Sequence, residues 1–257
     1  MGWDNGQYLK FKAQRTRPAI DLAARIPIEN PTDIIDVGCG PGNSSRVLKD
    51  RYPNAHVLGA DSSGNMLDRA REDNPDMEFV LLDAGGDISG YNSRFDVVFS
   101  NACLQWIPDH KKLLARLFAL LKPGGTLAVQ IPMNFDEPIH KILTELAESA
   151  EWREKLGIQR LFYTLTQEEY FDVISGLTDD FEMWQTTYCH RMPDHEAIAE
   201  WYRSTGMRPY LEALNERDAA EFESRVMERV RREYAVRKNG EIIFRFPRFF
   251  FVANKTK

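Results

Sequence analysis

The chain has 257 residues, 43% of them apolar and 28% charged. That balance and length give a globular protein able to bury a core without disulfides or structural metal, which excludes disordered, fibrous and mini-protein classes. A formal charge of −6 argues against a general nucleic-acid binder.

The first 30 residues carry Asp4, Lys10, Lys12, Arg15 and Arg17 without an apolar block, which reads as a helical segment and not as a secretory leader. From residue 33 to residue 131, apolar strand-like runs alternate with helix-like segments, the pattern of a parallel α/β sheet. The expected strands are 33–37, 56–60, 78–82, 95–100 and 126–131. The expected helices between them are 43–51, 63–74, capped by Ser62 or Ser63, and 109–121, closed by Lys122-Pro123-Gly124-Gly125. Beyond Pro132, Ile139, Ile142, Leu143, Leu146, Ala147 and Ala150 share helical spacing, which predicts one amphipathic helix over 138–155. Trp184 to Tyr188 alternates like a strand. Helices follow near 194–204 and 216–238, and 242–252 is a final strand buried on both faces. The fold class is therefore α/β: a doubly wound, mostly parallel sheet with a helical cap inserted before the last strand. No apolar run approaches the roughly 20 residues of a membrane span, the densest, 113–121, being broken by Arg116. Cys39, Cys103 and Cys189 are odd in number and far apart, which fits a reduced, cytoplasmic chain.

The strongest chemical signal is Asp36-Val37-Gly38-Cys39-Gly40-Pro41-Gly42, placed after a strand and before a helix. Glycines there let the chain turn tightly and let a ligand reach the backbone. The dinucleotide fingerprint is absent, because Asn43 stands three positions after Gly40, and there is no P-loop. Asp61 ends the second expected strand and Asp83 the third. A carboxylate at such a strand end accepts ribose hydroxyls or an exocyclic amine, and equally fits an ordinary turn or cap.

Asp36-x-Gly38-x-Gly40-x-Gly42, Asp61, Asp83-Ala84 and Leu121-Lys122-Pro123-Gly124-Gly125 together resemble the S-adenosylmethionine-dependent methyltransferases of Rossmann-like fold, over roughly 30–131. A bacterial family, the trans-aconitate methyltransferases, is similar over nearly the whole chain. That resemblance rests on Arg15-Thr16-Arg17-Pro18-Ala19, the glycine turn through Ser44, Asn101-Ala102, Leu104-Gln105-Trp106, Pro108-Asp109-His110, Thr205-Gly206-x-Arg208-Pro209 and Phe246-Pro247-Arg248. It implies methyl transfer from S-adenosylmethionine to a carboxylate oxygen, leaving S-adenosylhomocysteine, with no metal. The implied cofactor contacts are Arg15, Gly38, Cys39, Gly40, Asn43, Asp61, Ser62, Met66, Asp83, Ala84, Asn101, Ala102 and Trp106. Met66 also fits plain core, and Trp106 ordinary packing at a helix start. For a polycarboxylate acceptor the candidates are Arg208, Arg248, Arg17 and Tyr188, because guanidinium forks pair bidentately with carboxylates. No single catalytic residue is expected, although Trp106 and Tyr8 are candidate contributors. His110 is read first as a helix-start histidine with a local hydrogen bond.

The corresponding division is an N-terminal helical segment (1–30), a cofactor-binding core (31–137), a helical cap with sheet-completing elements (138–240), and a final strand and tail (241–257). Residues 1–200 hold 20 Lys and Arg against 31 Asp and Glu, whereas residues 201–257 hold 13 against 8. That basic C-terminal quarter suits an acidic small molecule, or simply forms solvated helix charges. His195-Glu196 lacks the second histidine of a zinc helix, since Ala199 stands in its place, and no GxSxG elbow exists. The alternatives are a same-fold methyltransferase acting on a malonyl thioester or quinone precursor, a cofactor-binding protein without turnover, and a dehydrogenase. No nucleic-acid or membrane partner is expected. The sequence leaves the oligomeric state open and is compatible with a monomer.

Overall fold

The computed structural model describes residues 12–157, 162–203 and 205–256. Seven strands form one sheet: β1 (Asp33–Val37), β2 (His56–Asp61), β3 (Glu78–Leu81), β4 (Phe95–Asn101), β5 (Leu121–Pro132), β6 (Phe181–Met192) and β7 (Ile242–Asn254). Their spatial order is β3-β2-β1-β4-β5-β7-β6. β1 to β5 run parallel, and β7 lies antiparallel to β5 with Gln130 opposite Phe250 and Pro132 opposite Arg248. The order reverses direction at β1 and β4, the switch point where ligands bind in open α/β sheets.

The helices are α1 (Lys12–Ala23), α2 (Asn43–Arg51), α3 (Gly64–Asp73), α4 (His110–Ala119), α5 (Pro138–Glu148), α6 (Ala150–Leu156), α7 (Gln167–Ser175), α8 (His195–Arg203), α9 (Arg208–Ala213) and α10 (Glu216–Glu233). No helix among the described residues is long and apolar enough to cross a membrane.

The chain divides into two compact units. The larger takes 15–132, 162–186 and 248–256 of the described residues, and includes β1 to β5 with α2 to α4 and α7. Ile34, Ile35, Val97, Val98, Phe99, Ala128 and Val129 are fully buried in its sheet, because parallel strands covered on both faces must be apolar throughout. The smaller takes 12–14, 133–157, 187–203 and 205–247 of the described residues. Its core joins Ile139 and Ile142 of α5, Trp152 of α6, Ile198 and Trp201 of α8, and Phe222, Val226 and Val230 of α10. Trp152 meets Phe222 edge to face at 5.1 Å.

The β1 and α2 bounds coincide with the sequence expectation. Elsewhere the structure corrects it. The region 138–155 is two helices, because Ser149 takes an extended ψ of 152° and turns its hydroxyl back to the Leu146 carbonyl at 2.7 Å. β5 begins at Leu121, so the Lys122-Pro123-Gly124-Gly125 turn lies within the strand, with a register shift against β4 between Phe95 and Val97. α10 stops at Glu233 and not at 238, and α7 and α9 lie where no helix was expected.

Candidate functional site: the carboxyl edge of the parallel sheet

β1 ends at Val37 and the chain turns through Gly38 and Gly40, with φ of 75° and 54°. A side chain at either position would be strained. A Cβ at Gly38 would also collide with Cys103 at 2.1 Å, whereas one at Gly40 would meet nothing within 4 Å. The outer side of the turn is thus open to a ligand. Gly38 and Cys39 donate their N–H groups to the Ala60 carbonyl at 2.7 and 3.1 Å. Gly40 N–H donates to Asp61 Oδ2 at 2.8 Å, and Ser63 N–H to Asp61 Oδ1 at 2.9 Å. Asp61 therefore ties the turn after β1 to the turn after β2. Each of its oxygens keeps a lone pair for a hydroxyl donor.

Beneath the turn, Asp36 has no exposure. Its Oδ2 accepts the hydroxyls of Ser44 and Ser45, both at 2.7 Å, and its Oδ1 has no partner among the described residues. Burial pushes this carboxyl up from 3.8 to about 6, against the two serine hydrogen bonds that lower it. Burial likewise drives the Cys39 thiol far upward and the Cys103 thiol to about 12. Cys39 packs with Leu67, Ala70 and Phe79, so its side chain belongs to the core while its backbone faces the turn.

Asp83 follows β3 and accepts the Gly85 N–H at 2.8 Å, with Ala84 buried beside it. Ser62 is exposed and Met66 half-buried. Asn43 opens α2 just past the glycines. After β4, Ala102 adopts a left-handed φ of 55° and donates its N–H to the Gln130 carbonyl at 2.9 Å. Asn101 Oδ1 is buried without a partner among the described residues. Trp106 is 42% exposed and lies 4.9 Å from the Phe162 ring. Four adjacent strand ends thus bring together the glycine turn, Asp61, Asp83 and Asn101-Ala102. His110 is buried below them, with Nε2 on the Leu104 carbonyl at 2.9 Å and Nδ1 on the Tyr170 hydroxyl at 2.6 Å.

The arginine candidates separate. Arg248, on β7 in the larger unit, is 6% exposed, and its Nη1 donates to Gln130 Oε1 at 3.4 Å. Arg15 is half-buried on α1. Arg17 is 65% exposed and pairs with Asp21 at 2.9 Å, an ordinary surface ion pair. Arg208 and Tyr188 belong to the smaller unit. Arg208 heads α9, with Nε donating to Glu212 at 2.8 Å. Tyr8 lies outside the described residues. Much of the basic C-terminal quarter is neutralised by glutamates: Arg203 by Glu196 and Glu223, Arg229 by Glu145, Arg232 by Glu228. Gln130 belongs to none of these motifs. The available signal was a polar residue inside the apolar run Leu127-Ala128-Val129-Gln130-Ile131.

This arrangement fits S-adenosylmethionine. Asp36, Asp61 and Asp83 gather at this edge, and the Asp61 carboxylate adds to the burial that pushes Asp36 up. A ligand carrying a sulfonium and an ammonium relieves that repulsion. The open backbone at Gly40 and the unpartnered Asn101 oxygen supply room and an acceptor. Among the described residues no group of three or more metal-ligating side chains gathers.

Residues 34–125 match the methyltransferase domain family. Among solved structures, the YcgJ protein from Bacillus subtilis has a TM-score of 0.61 at 13% identity, covering 94% of this chain and 99% of its own. A phosphoethanolamine N-methyltransferase 2 from Haemonchus contortus, solved with phosphomonomethylethanolamine and S-adenosylhomocysteine, has a TM-score of 0.58 at 20% identity, covering 94% of this chain and 53% of its own. At those identities the likeness establishes the fold. Trans-aconitate 2-methyltransferases from Escherichia coli O157:H7 and Shigella flexneri are each 40% identical over 257 residues, covering 99% of both chains. By that identity along its full length, the chain belongs to the trans-aconitate 2-methyltransferase family.

Proposed function

We propose that the chain transfers the methyl group of S-adenosylmethionine to a carboxylate oxygen of trans-aconitate, forming a monomethyl ester. The observation that carries this reading is the 40% identity over 99% of both chains, joined to a glycine turn that Asp61 holds open at the switch point. S-adenosylmethionine supplies an electrophilic methyl group on a sulfonium. The protein's part is to bind and align. The backbone at Gly38 and Gly40 receives the amino-acid end, Asp61 the ribose hydroxyls and Asp83-Ala84 the adenine edge. Asn101, Ala102 and Trp106 bound the acceptor side.

A carboxylate acceptor, with a pKa of about 4, is already ionised at pH 7 and needs no base. The titratable groups beneath the turn suit that chemistry. Asp36 is buried and bonded to two serines, and the Cys39 and Cys103 thiols are held protonated by burial. Alignment at roughly 3 Å for in-line displacement supplies about 7–11 kcal/mol. Arg248 is the acceptor's first charge partner in the larger unit, being buried on β7 beside Gln130. Cytoplasmic residence agrees with three free cysteines and with a small metabolite as acceptor.

The test is mass spectrometry of reactions containing the purified chain, S-adenosylmethionine and one acid each: trans-aconitate, cis-aconitate, isocitrate, citrate or malonate. Trans-aconitate gains one methyl group, faster than any other acid. Cofactor turnover without any methylated acid would redirect the acceptor to a thioester or quinone precursor. Absence of cofactor binding would overturn the reading from the glycine turn onward.

A further inference from the structure

Arg116 stands on α4 among Leu113, Leu114 and Leu117, which are fully buried. Arg46, Arg69 and Arg71 of the same unit pair with surface carboxylates. Arg116 instead reaches main chain. Its Nη1 donates to the carbonyls of Gly85 and Gly86, both at 2.8 Å, across 31 and 30 positions of sequence. One guanidinium nitrogen carries two N–H groups, one for each carbonyl, and the positive charge strengthens both bonds.

Those carbonyls belong to the loop that follows β3 and begins with Asp83. β3 is an edge strand of four residues, so the loop has a strand neighbour on one side only. Asp83 is exposed, and Gly85 and Gly86 are half-buried. Two adjacent glycines give such a loop more backbone freedom than any other pair of residues. The loop closes on itself through Asp83: Oδ1 accepts the Gly85 N–H at 2.8 Å and the carbonyl accepts the Gly86 N–H at 3.0 Å. A Cβ at Gly85 would come within 3.1 Å of Asp83 Oδ1, so the glycine makes room for the carboxylate to curl back. These internal bonds shape the turn without fixing where it sits. The last tie to the sheet before it is the Leu82 N–H on the Asp61 carbonyl at 2.9 Å, and the buried Ile88 holds its far end. Between them, Arg116 fastens the turn to a helix whose own face is locked into the core.

We propose that Arg116 is a positioning residue of the cofactor site: by holding the Gly85 and Gly86 carbonyls it sets the Asp83 carboxylate where it accepts the exocyclic amine of adenine, and so gives the site its preference for an amine-bearing base. This rests on the adenine contact proposed above for Asp83. A carboxylate offers about four lone-pair sites, and the Gly85 N–H uses one of them. Arg116 itself touches neither cofactor nor acceptor; it acts through the loop. A hydrogen bond that must be met by a loop in one place is weakened when that loop wanders, because the ordering is then charged to binding.

The test is calorimetric titration of the full chain with S-adenosylhomocysteine and with its deamino analogue, which carries a plain purine. Wild type, Arg116→Met, Arg116→Lys and Asp83→Ala are compared. Wild type prefers S-adenosylhomocysteine by about five- to tenfold, the worth of one hydrogen bond to the amine. Asp83→Ala abolishes the preference. Arg116→Met cuts it to about twofold or less, and Arg116→Lys, which keeps the charge without the fork, falls between. Affinity for the deamino analogue stays near wild type in both Arg116 variants. Kinetics show a raised KM for S-adenosylmethionine, with kcat at saturating cofactor and KM for trans-aconitate kept. A residue that only stabilised the fold would lower the melting temperature and leave the base preference as it was. A wild-type preference in folded Arg116→Met, with the preference lost in Asp83→Ala, would therefore overturn the inference and leave the Asp83 contact standing. If Arg116→Met lacks a cooperative melt, Arg116→Lys decides by the same criterion. A preference that survives in Asp83→Ala, or is absent from wild type, would instead bring down the Asp83 contact, and this inference with it.

Discussion

Asp36 shows how much a single residue's environment adds to its motif. The sequence marks it as the first member of the glycine turn, and the structure gives it two serine hydroxyls on one oxygen and no partner on the other. Ser44 and Ser45 stand eight and nine positions later, on α2. Nothing in the one-dimensional pattern reports which face of α2 meets β1, so that pairing was not legible. The consequence is a pH dependence. The folded-state pKa of about 6 lies above the ordinary 3.8, so protonating Asp36 favours the fold. Its contribution is complete below about pH 4 and is lost as pH rises through about 6. Asp36→Asn is uncharged throughout and keeps an oxygen for both serines. Its stability relative to wild type rises between pH 4 and 7, by up to about 3 kcal/mol. All other titrating groups are common to both proteins and cancel in the difference. Urea unfolding at a series of pH values measures it, and a difference that stays flat from pH 4 to 7 would contradict the argument.

At the scale of elements, the parallel half of the sheet was legible because its strands are short apolar runs ended by Gly or Asp. α7 was not. Its sequence, Gln167-Glu168-Glu169-Tyr170-Phe171, starts with three polar residues, and Phe171 is exposed, so the apolar period is broken. What fixes α7 is a capping box between Thr166 and Glu169, together with two buried side chains, Tyr170 and Ile174. Gly206 and Pro209 flank Arg208, a composition that suits a loop, yet proline in the first turn starts a helix as readily as it ends one. Tyr170 stacks on Phe249 at 5.3 Å and donates its hydroxyl to His110 Nδ1. The direction follows from the other ring nitrogen: Nε2 faces the Leu104 carbonyl and must carry the proton, so Nδ1 accepts. Tyr170 thereby locks α7 to the start of α4 and, through His110, to the Leu104–Trp106 turn beside the site. Tyr170→Phe keeps the stacking and removes the hydroxyl, leaving His110 Nδ1 buried without this donor. The expected loss of stability is about 1–3 kcal/mol, read as a lowered melting temperature. A melting temperature equal to wild type would show that the hydroxyl contributes nothing to the lock.

For the molecule as a whole, the decisive piece of the larger unit is the last one in the chain. β7 lies between β5 and β6, so the last strand in the sequence fills an interior position of the sheet. Alternation over 242–247 gives way to an unbroken buried run over 248–253, and this is why the final strand could be read from composition while its place in the sheet could not. Phe249, Phe250 and Phe251 are at most 2% exposed. Seven register pairs join β7 to β5, from Thr126 with Asn254 to Pro132 with Arg248. Burying three phenylalanines is worth roughly 5–9 kcal/mol in transfer free energy. That is comparable with the whole stability of a domain, about 5–15 kcal/mol. Removing residues 248–257 would expose one edge of β5, strip β6 of its neighbour and uncover Tyr170 on α7, which rests on Phe249 and Phe251. The glycine turn and Asp61 would be untouched in sequence. The truncated chain is nevertheless expected to lose its cooperative thermal transition and, with it, measurable S-adenosylhomocysteine binding. A truncation that still melts cooperatively and binds S-adenosylhomocysteine as tightly as the full chain would mean that β1 to β5 with their helices are stable alone, and that β7 serves the acceptor side only.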